Sequence, residues 1–425
     1  MISALVGGTG SAWAGGGLVP PLHSENIRER GRGLGFARCL APLVNPAQHK
    51  RRTAIRILLN GLGRDTSPTG ICRVAANHAR ALVESGRVEH LVLAAGAWQR
   101  EMYASLLGPA ADKVDFVPAE INNSSLARNR WFASEVPLLA KKFASTLVHY
   151  SFPAPVIRKS FPCPVAVTLH DLYPYDLPEN FGFPNYYFNR IILRQCLNSV
   201  DGIACVSNST SLRLRQLFPM AGHRAAVEVT GNYVRISTGQ PSSSGVVQKL
   251  GGAQFLLSVA QHRRNKNLDI LLRGYARLLH SRNTSAKLVI VGAPGPETGS
   301  LLALADTLNI AQQTVWLHSI NDAELTWLYQ HCALFVATSS IEGFCLPVAE
   351  AILNGARVLC SEIPILRDMA ADQASYFSLQ GDAVAQLAAA MASAPDRPAG
   401  GQGLDGRFTD ETVLAAYLKL YSRLC

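Results

Sequence analysis

The sequence of 425 residues lacks several features that would assign it quickly to other protein classes. It has no apolar run long enough to cross a bilayer, and its glycine-rich start has neither the basic residues nor the compact leucine-rich core of a secretory signal. Its nine cysteines are odd in number and scattered, which favours buried thiols in a reducing compartment over a disulfide framework. These absences predict a cytoplasmic protein, either soluble or in peripheral contact with the inner face of a membrane.

Motifs of several enzyme classes are also missing. The sequence has no Asp-x-Asp pair and no clustered His/Cys ligand set, so nothing in it calls for a metal ion. It has no GxxxxGK[ST] loop, and its one GxGxxG match, GQGLDG at residues 401–406, does not follow a predicted strand, which argues against dehydrogenases and nucleoside triphosphatases. The formal charge is +10, but no basic motif interleaved with aromatic residues supports binding to nucleic acid.

Half of this net charge lies in the first 52 residues, where seven basic side chains face two acidic ones. Glycine and proline interrupt this segment and no periodicity is sustained, which predicts a flexible basic extension over residues 1–52. Its basic side chains suit contact with anionic lipid headgroups. A solvated tail, or a start codon assigned too early, explains them equally well.

Strands and helices alternate through the rest of the chain in two halves. Over residues 53–235 the apolar runs are nearly continuous, which is typical of a parallel sheet covered on both faces by helices. Residues 236–252 are rich in serine, glycine and proline and predict a linker. The alternation resumes over residues 253–408, and residues 409–425 predict a C-terminal helix. We therefore expect two Rossmann-like, doubly wound α/β domains that face a cleft and bind ligands beyond the carboxyl ends of their strands.

The most informative segment is EGFCLPVAEA, residues 342–351. A predicted buried strand precedes it, and Pro347 suits the first position of a helix. Glu342 then lies in the loop and Glu350 in the first helical turn. Carboxylates accept hydrogen bonds from sugar hydroxyls, while the loop amides and the helix N-terminus attract phosphate. The turn therefore predicts a site for a phosphorylated, polyhydroxylated ligand; two glutamates favoured by the helix dipole are the simpler alternative.

Two further segments are predicted to reach the same cleft. SVAQHRRNKN follows the first strand of the second half and places Arg263, Arg264 and Lys266 at its carboxyl end, where cations can hold a diphosphate. VTLHDLYPYD places His170 directly after a strand of the first half, where it can hydrogen-bond a sugar hydroxyl or take part in proton exchange.

In this order the motifs resemble glycosyltransferase family four, the group 1 retaining nucleotide-sugar glycosyltransferases with the GT-B fold. The pair of glutamates separated by seven residues within EGFxLPxxEA carries the resemblance, which extends over residues 53–425. It implies a metal-independent hexosyltransferase of polysaccharide biosynthesis that needs no cofactor. The donor would be a nucleotide diphosphate sugar, and the acceptor a hydroxyl of a glycan or lipid-linked saccharide. A slight preference for mannose comes from the resemblance alone.

The resemblance also implies roles for individual residues. Glu350 would bind the ribose hydroxyls, Glu342 a hydroxyl of the donor sugar, and His170 would contact that sugar. The loop that contains Gly63 and Gly70 resembles the family's first loop, where missing side chains let the backbone approach the donor or acceptor.

The diphosphate would be held by Lys266 together with Arg263 or Arg264, because the arginine's usual place in the family holds Gln261. Four consecutive backbone amides would assist: Gly343, Phe344, Cys345 and Leu346. Cys345 replaces the glycine that is most common in this motif.

Three other classes stay open at this stage. A GT-B epimerase would use the same nucleotide site and release a free sugar isomer. A catalytically silent GT-B scaffold would keep the fold without transferring sugar. A nucleic-acid-binding protein would show binding that depends steeply on salt.

Overall fold

The computed structural model describes residues 55–178, 181–235, 245, 250–281, 285–318, 320–393 and 406–425. The predicted extension over residues 1–52 lies outside the described residues, as does most of the predicted linker over residues 236–252. The described residues form two α/β lobes, each built on a parallel sheet.

The first lobe contains a seven-stranded sheet in the order β3-β2-β1-β4-β5-β6-β7, with every neighbouring pair parallel. The interior strand β1 shows why the apolar runs are nearly continuous: Leu58 packs into the core on one face, while Ile57 and Leu59 pack into the core on the other. The strands are β1 (Ile55–Asn60), β2 (Val88–Gly96), β3 (Asp115–Ala119), β4 (Leu147–Tyr150), β5 (Val165–Leu169), β6 (Gly202–Cys205) and β7 (Ala226–Val229).

The helices of the first lobe cover both faces of this sheet. Side-chain oxygens of Thr69, Ser124 and Ser207 accept backbone N–H groups at the starts of α1, α3 and α6, respectively. The helices are α1 (Gly70–Glu84), α2 (Arg100–Leu107), α3 (Ser125–Lys142), α4 (Tyr173–Asp176), α5 (Asn185–Ser199), α6 (Asn208–Leu217) and α7 (Pro219–Arg224).

The second lobe contains a six-stranded parallel sheet in the order β10-β9-β8-β11-β12-β13. Its strands are β8 (Phe255–Val259), β9 (Lys287–Val291), β10 (Thr314–Leu317), β11 (Leu334–Ala337), β12 (Val358–Ser361) and β13 (Ser375–Phe377). Its helices are α8 (Leu268–Ser281), α9 (Thr298–Thr307), α10 (Asp322–His331), α11 (Leu346–Leu353), α12 (Pro364–Ala370) and α13 (Ala383–Ser393). The predicted fold class, two doubly wound α/β lobes, is confirmed.

The helix α14 (Asp410–Ser422) follows the second lobe in the chain but packs on the first, against β6, β7 and α1. Its Tyr421 is buried, and its hydroxyl bonds both His78 Nε2 at 2.7 Å and His149 Nδ1 at 2.8 Å. Burial, with a smaller contribution from His149, lowers the pKa of His78, and burial lowers the pKa of His149 to about 3. Both histidines are therefore neutral links in a buried chain of hydrogen bonds.

Within the described part of the chain, we find no helix with both the length and the apolar character needed to cross a bilayer.

Candidate active site

The loop between β11 and α11 holds the glutamate pair. The helix begins at Leu346, one residue earlier than predicted, and Pro347 takes its second position. Glu350 therefore lies in the second helical turn, and its prediction in the first turn is wrong. The reason is local: Cys345 caps the helix in the left-handed conformation, with φ 68° and ψ 65°, so the helix starts directly after it. This conformation explains why glycine is the usual residue here.

Glu342 and Lys266 form a largely buried ion pair. The Lys266 Nζ donates to Glu342 Oε1 at 2.5 Å, and only 6% of the Glu342 side chain is exposed, against 19% of Lys266. Burial by itself lowers the pKa of Lys266, but the charge of Glu342 and this hydrogen bond outweigh it and raise the pKa above its ordinary value. The lysine is therefore firmly cationic in the cleft.

Hydrogen bonds between two neighbouring loops set this pair in place. The loop after β8 carries Lys266 and the loop after β11 carries Glu342, and these strands are adjacent in the sheet. Thr338 Oγ1 donates to the Lys266 carbonyl at 2.6 Å, and Asn267 Nδ2 donates to the Thr338 carbonyl at 3.0 Å. Because parallel strands end at the same edge, two segments far apart in sequence deliver opposite charges to one point.

Glu350 is oriented by Tyr329, whose hydroxyl donates to Glu350 Oε2 at 2.9 Å. Across the cleft, Arg73 of α1 makes two hydrogen bonds to Asp322 of α10, at 2.7 and 3.0 Å. Burial raises the pKa of Glu350, while the Tyr329 hydrogen bond and the Arg73 charge oppose that rise. A first-lobe cation thus acts on the second-lobe carboxylate.

The loop after β5 in the first lobe packs directly on the loop of the glutamate pair. A Cβ built on Gly343 would overlap the carbonyl oxygen of His170, so only glycine fits at this contact. The Tyr173 hydroxyl donates to the Ile341 carbonyl at 3.2 Å and lies 3.4 Å from Glu342 Oε2. The two lobes therefore meet at the predicted cleft through residues 341–343.

His170 is held as a neutral imidazole. Its Nε2 lies 2.8 Å from the Ser151 carbonyl, which can only accept, so Nε2 carries the proton and Nδ1 is an acceptor. Burial lowers the pKa of His170 to about 4, against a smaller opposing effect of the Ser151 hydrogen bond. Such a group is a weak base near neutral pH and is better suited to accept a hydrogen bond from a hydroxyl.

A cavity of about 480 Å³ opens beside this contact, with lining residues from both lobes that include Asp171, Tyr173, Tyr175 and Glu342. Asp171 Oδ1 accepts the backbone N–H of Tyr173 at 3.0 Å. Burial raises the pKa of Asp171 to about 6, opposed by this hydrogen bond and increased further by the charge of Glu342.

Of the two candidate arginines, the structure brings Arg263 to the site. Arg263 is partly buried and close enough to Asp171 and Lys266 for its charge to act on both. Its Nε is buried and has no hydrogen-bond partner among the described residues, so a donor is available there. Arg264 begins the 3₁₀ turn Arg264–Lys266 and is exposed.

The predicted glycines of the first lobe occupy different positions. Gly70 is the first residue of α1 and faces the second lobe, since a Cβ built on it would lie 3.9 Å from Leu346 Cδ1. The Gly63 amide already donates to Gln99 Oε1 at 2.9 Å. Gly70 therefore lies at the interface between the lobes, whereas the Gly63 amide has a partner within its own lobe.

Several residues of the site were not predicted. Tyr173 and Asp171 lie in the same segment as His170, and their place directly after a strand was the available indication. Tyr329 and Arg73 come from helices whose sequences show only an ordinary buried face. Among the described residues we find no cluster of three His, Cys, Asp or Glu side chains that could hold a metal ion.

Two family models match the chain, one in each half. The model described as "Glycosyltransferase Family 4" matches residues 68–231, and the model described as "Glycosyl transferases group 1" matches residues 241–398. The second match contains both glutamates and Lys266. The chain belongs to the family 4, group 1 glycosyltransferases.

Curated relatives of this glycosyltransferase include the O-antigen chain mannosyltransferase RfbU of Salmonella typhimurium strain LT2, which is 24% identical over 210 residues. The alignment covers 49% of this chain and 55% of that protein, so the chain spans about half the length of this relative.

Solved structures share the fold. Sucrose-phosphate synthase of Thermosynechococcus elongatus superposes with a TM-score of 0.67 at 15% identity, over 87% of this chain and 99% of that one. Anabaena Alr3699/HepE in complex with UDP and glucose gives 0.56 at 16% identity, over 87% and 95%. With its two parallel-sheet lobes, the glycosyltransferase has the GT-B fold.

Proposed function

We propose that this glycosyltransferase moves a hexose from a nucleotide diphosphate sugar to a hydroxyl of a glycan or lipid-linked saccharide, with retention at the anomeric carbon and without a metal ion. The observation that carries the proposal is the buried pair of Lys266 and Glu342, 2.5 Å apart, with Glu350 in the second turn of the helix that follows. A cation and two carboxylates at one edge of a sheet match a ligand that has both phosphates and sugar hydroxyls.

Each end of the donor has its own set of partners. Glu350, oriented by the Tyr329 hydroxyl, accepts hydrogen bonds from the ribose hydroxyls. Glu342 accepts from a hydroxyl of the transferred sugar. Lys266 and Arg263 hold the diphosphate, and the Arg263 Nε supplies a donor that the described residues leave unused.

The backbone supports the same binding mode. The amides of residues 343–346 lie at the start of α11, where a helix N-terminus attracts anions, and they assist the cations in holding the diphosphate. Cys345 contributes as an amide, so its side chain in place of glycine is compatible with this role.

The bond changes follow from the charges in the cleft. The bond between the anomeric carbon and the diphosphate oxygen breaks, and the cations stabilise the negative charge that develops on the departing phosphate. The acceptor hydroxyl attacks from the same face, and its proton passes to that phosphate oxygen. His170 takes no proton in this scheme; because its pKa is about 4, its role is to accept a sugar hydroxyl through Nδ1.

The comparisons support a particular choice of donor and acceptor. RfbU is named as a mannosyltransferase of the O-antigen chain, which supports mannose as donor sugar and a polysaccharide intermediate as acceptor. The HepE structure contains UDP and glucose, which supports a nucleoside diphosphate in the same kind of cleft. A panel of UDP-, GDP- and ADP-sugars, screened by thermal shift and by turnover, identifies the donor, because a bound ligand stabilises the folded state more as its concentration rises above its Kd.

One lysine variant and one arginine control test the proposed diphosphate clamp. We expect Lys266→Ala to lower turnover by a factor on the order of 10²–10³, as for loss of one charge-stabilising group. Arg264→Ala is the matched control, since it removes a neighbouring cation that is exposed and should leave turnover near the wild-type value. Near-normal turnover of Lys266→Ala would remove this assignment.

Analysis of products with and without acceptor separates a transferase from an epimerase, which would release a sugar isomer alone, and from a silent scaffold, which would release none.

A further inference from the structure

One surface of the first lobe has apolar side chains that the proposed reaction does not use. Four of them belong to α5 and the residues just before it, with exposed fractions of 82% for Phe183, 50% for Tyr187, 60% for Phe188 and 64% for Ile191. The spacing of three to four residues places the last three on one side of the helix. We call these four residues the α5 face. The opposite side of the helix, which includes Leu193, packs into the core of the lobe.

The charged side chains of α5 itself are all cationic. The sequence of α5, NYYFNRIILRQCLNS, contains two arginines and no acidic residue. Beside it lies the turn at residues 156–160, because the Gln195 side chain accepts the Val156 amide at 3.0 Å. This turn exposes 52% of Ile157 and also exposes Lys159, close in sequence to Arg158. The apolar side chains are therefore bordered by cations.

The same helix braces the wall of the cavity. Arg190 Nε donates to the Pro174 carbonyl at 2.6 Å, and the Tyr175 hydroxyl donates to the Arg190 carbonyl at 3.3 Å. Tyr175 lines the 480 Å³ cavity together with Glu342. Whatever binds the α5 face is thus positioned next to the opening where an acceptor would meet the donor.

We propose that the α5 face docks on an anionic lipid bilayer, and that it thereby presents the cavity to an acceptor whose lipid part stays in the membrane. The proposal rests on the glycosyl transfer described above for the identity of that acceptor. Aromatic side chains favour the membrane–water interface, and neighbouring basic residues are attracted to anionic headgroups.

A second copy of the chain fits this surface less well than a bilayer. In a symmetric dimer through the α5 face, each patch would face itself, so the Arg194 and Lys159 side chains of two copies would be brought together. The described residues of α5 and of the turn offer no acid to pair with them, apart from Asp201, which Arg158 already contacts at 2.6 Å. A surface of anionic headgroups supplies the missing negative charge.

Vesicle binding of the full chain tests the apolar contribution. The probes are vesicles of phosphatidylcholine alone and of phosphatidylcholine with phosphatidylglycerol, with affinity measured by cosedimentation. We expect Phe188→Gln/Ile191→Gln to weaken binding to anionic vesicles by about tenfold or more. The matched control is Leu212→Gln/Met220→Gln, two apolar residues elsewhere on this lobe that are exposed to the same degree, 62% and 64%, and it should bind as the wild type does.

A second pair of substitutions tests the charge. Each basic residue near an anionic surface contributes about fivefold to affinity, so Lys159→Gln/Arg194→Gln should lower the affinity for anionic vesicles by about 25-fold. Binding to phosphatidylcholine alone should change little, and added salt should reduce the difference between the two vesicle types.

Four results would overturn the proposal. The first is no binding of the wild-type chain to anionic vesicles. The second is an equal loss of vesicle affinity in Phe188→Gln/Ile191→Gln, here called the α5 variant, and in its control. The third is retention of vesicle binding by Phe188→Gln/Ile191→Gln together with its loss when the four arginines of the extension, Arg28, Arg30, Arg32 and Arg38, are changed to glutamine. A change from dimer to monomer in the α5 variant, with vesicle binding intact, would assign the face to self-association and also overturn it.

The design separates this proposal from the proposed function. Vesicle binding is measured without any nucleotide sugar, so its result does not depend on whether the chain transfers a hexose. If transfer occurs, the α5 variant should keep wild-type turnover on a water-soluble acceptor and lose it on a lipid-linked acceptor in vesicles. Equal turnover of variant and wild type on both acceptors would contradict delivery through the α5 face.

Discussion

Replacing Lys266 by methionine should lower both the free energy of unfolding and the turnover of the enzyme, and the two effects can be measured separately. Methionine keeps much of the volume and removes the charge. Among the described residues, the Tyr173 hydroxyl at 3.4 Å is then the side-chain hydrogen-bond partner left to Glu342, which is 6% exposed. Removal of one partner of a buried ion pair costs about 3–5 kcal/mol, because the other charge stays buried without compensation. Since 19% of the lysine side chain is exposed, we expect a value near the lower end, about 3 kcal/mol.

The measurement is a double-mutant cycle of Lys266→Met and Glu342→Gln, with the free energy of unfolding obtained from urea titrations followed by circular dichroism. Glu342→Gln removes the stranded charge, so the double variant should recover most of the stability lost in Lys266→Met, giving a coupling of about 2–3 kcal/mol. Turnover should stay low in the double variant, because the cation that stabilises the leaving phosphate is still absent.

A pair of the same length on the surface provides the control. Arg367 and Glu362 also lie 2.5 Å apart, but half of each side chain is exposed. Solvent screens such pairs, so the same cycle there should give a much smaller coupling. Equal couplings for both pairs, or a Lys266→Met variant as stable as the wild type, would refute the reasoning that burial makes the cleft pair strong.

Three other predictions concern the cleft and the core beneath it. Gly343→Ala places a Cβ against the His170 carbonyl, so we expect a loss of about 1–3 kcal/mol in thermal or urea unfolding and a higher KM for the donor; a variant that matches the wild type in both would contradict the close approach. Tyr329→Phe removes the hydroxyl that bonds Glu350 and should cost about 1–3 kcal/mol and weaken donor binding in calorimetry, whereas unchanged affinity would separate Glu350 from the ribose. His149 has a folded pKa of about 3 against an unfolded value near 6.5, so the unfolded chain binds this proton first as the pH falls. The contribution of His149 to stability is therefore complete above pH 6.5 and decreases by about 2 kcal/mol at pH 5. A free energy of urea unfolding that stays constant between pH 7 and 5 would refute this.

The fold was predictable because its evidence is local and repeated. Apolar runs of four to six residues recur between amphipathic helices, and such runs are typical of strands that are buried on both faces. The buried strand predicted before Glu342 occurs as Leu334–Ala337. The strand Ser375–Phe377 was not predicted, since three residues are too few to show a pattern.

The site was predictable only where its residues follow a strand on the same lobe. Glu342 and Lys266 meet because parallel strands end together, which spacing along the chain can indicate. Tyr173 and Glu342 are 169 positions apart in the chain, and Arg73 and Asp322 are 249 positions apart. Their contacts depend on how the lobes meet. No periodicity in one sequence contains that information. The choice between Arg263 and Arg264 likewise depends on the turn, which buries one side chain and exposes its neighbour.

The return of α14 to the first lobe has a consequence for how the protein is made. Tyr421 completes the buried bonds of His78 and His149, yet it leaves the ribosome only after the whole second lobe has been synthesised. Until then each of these two histidines in the nascent first lobe lacks its hydrogen bond to Tyr421, and a patch over β6 and β7 is uncovered. We expect this lobe to remain sensitive to proteases until translation is complete. We also expect residues 53–235, expressed alone, to need α14 as a separate peptide in order to fold stably.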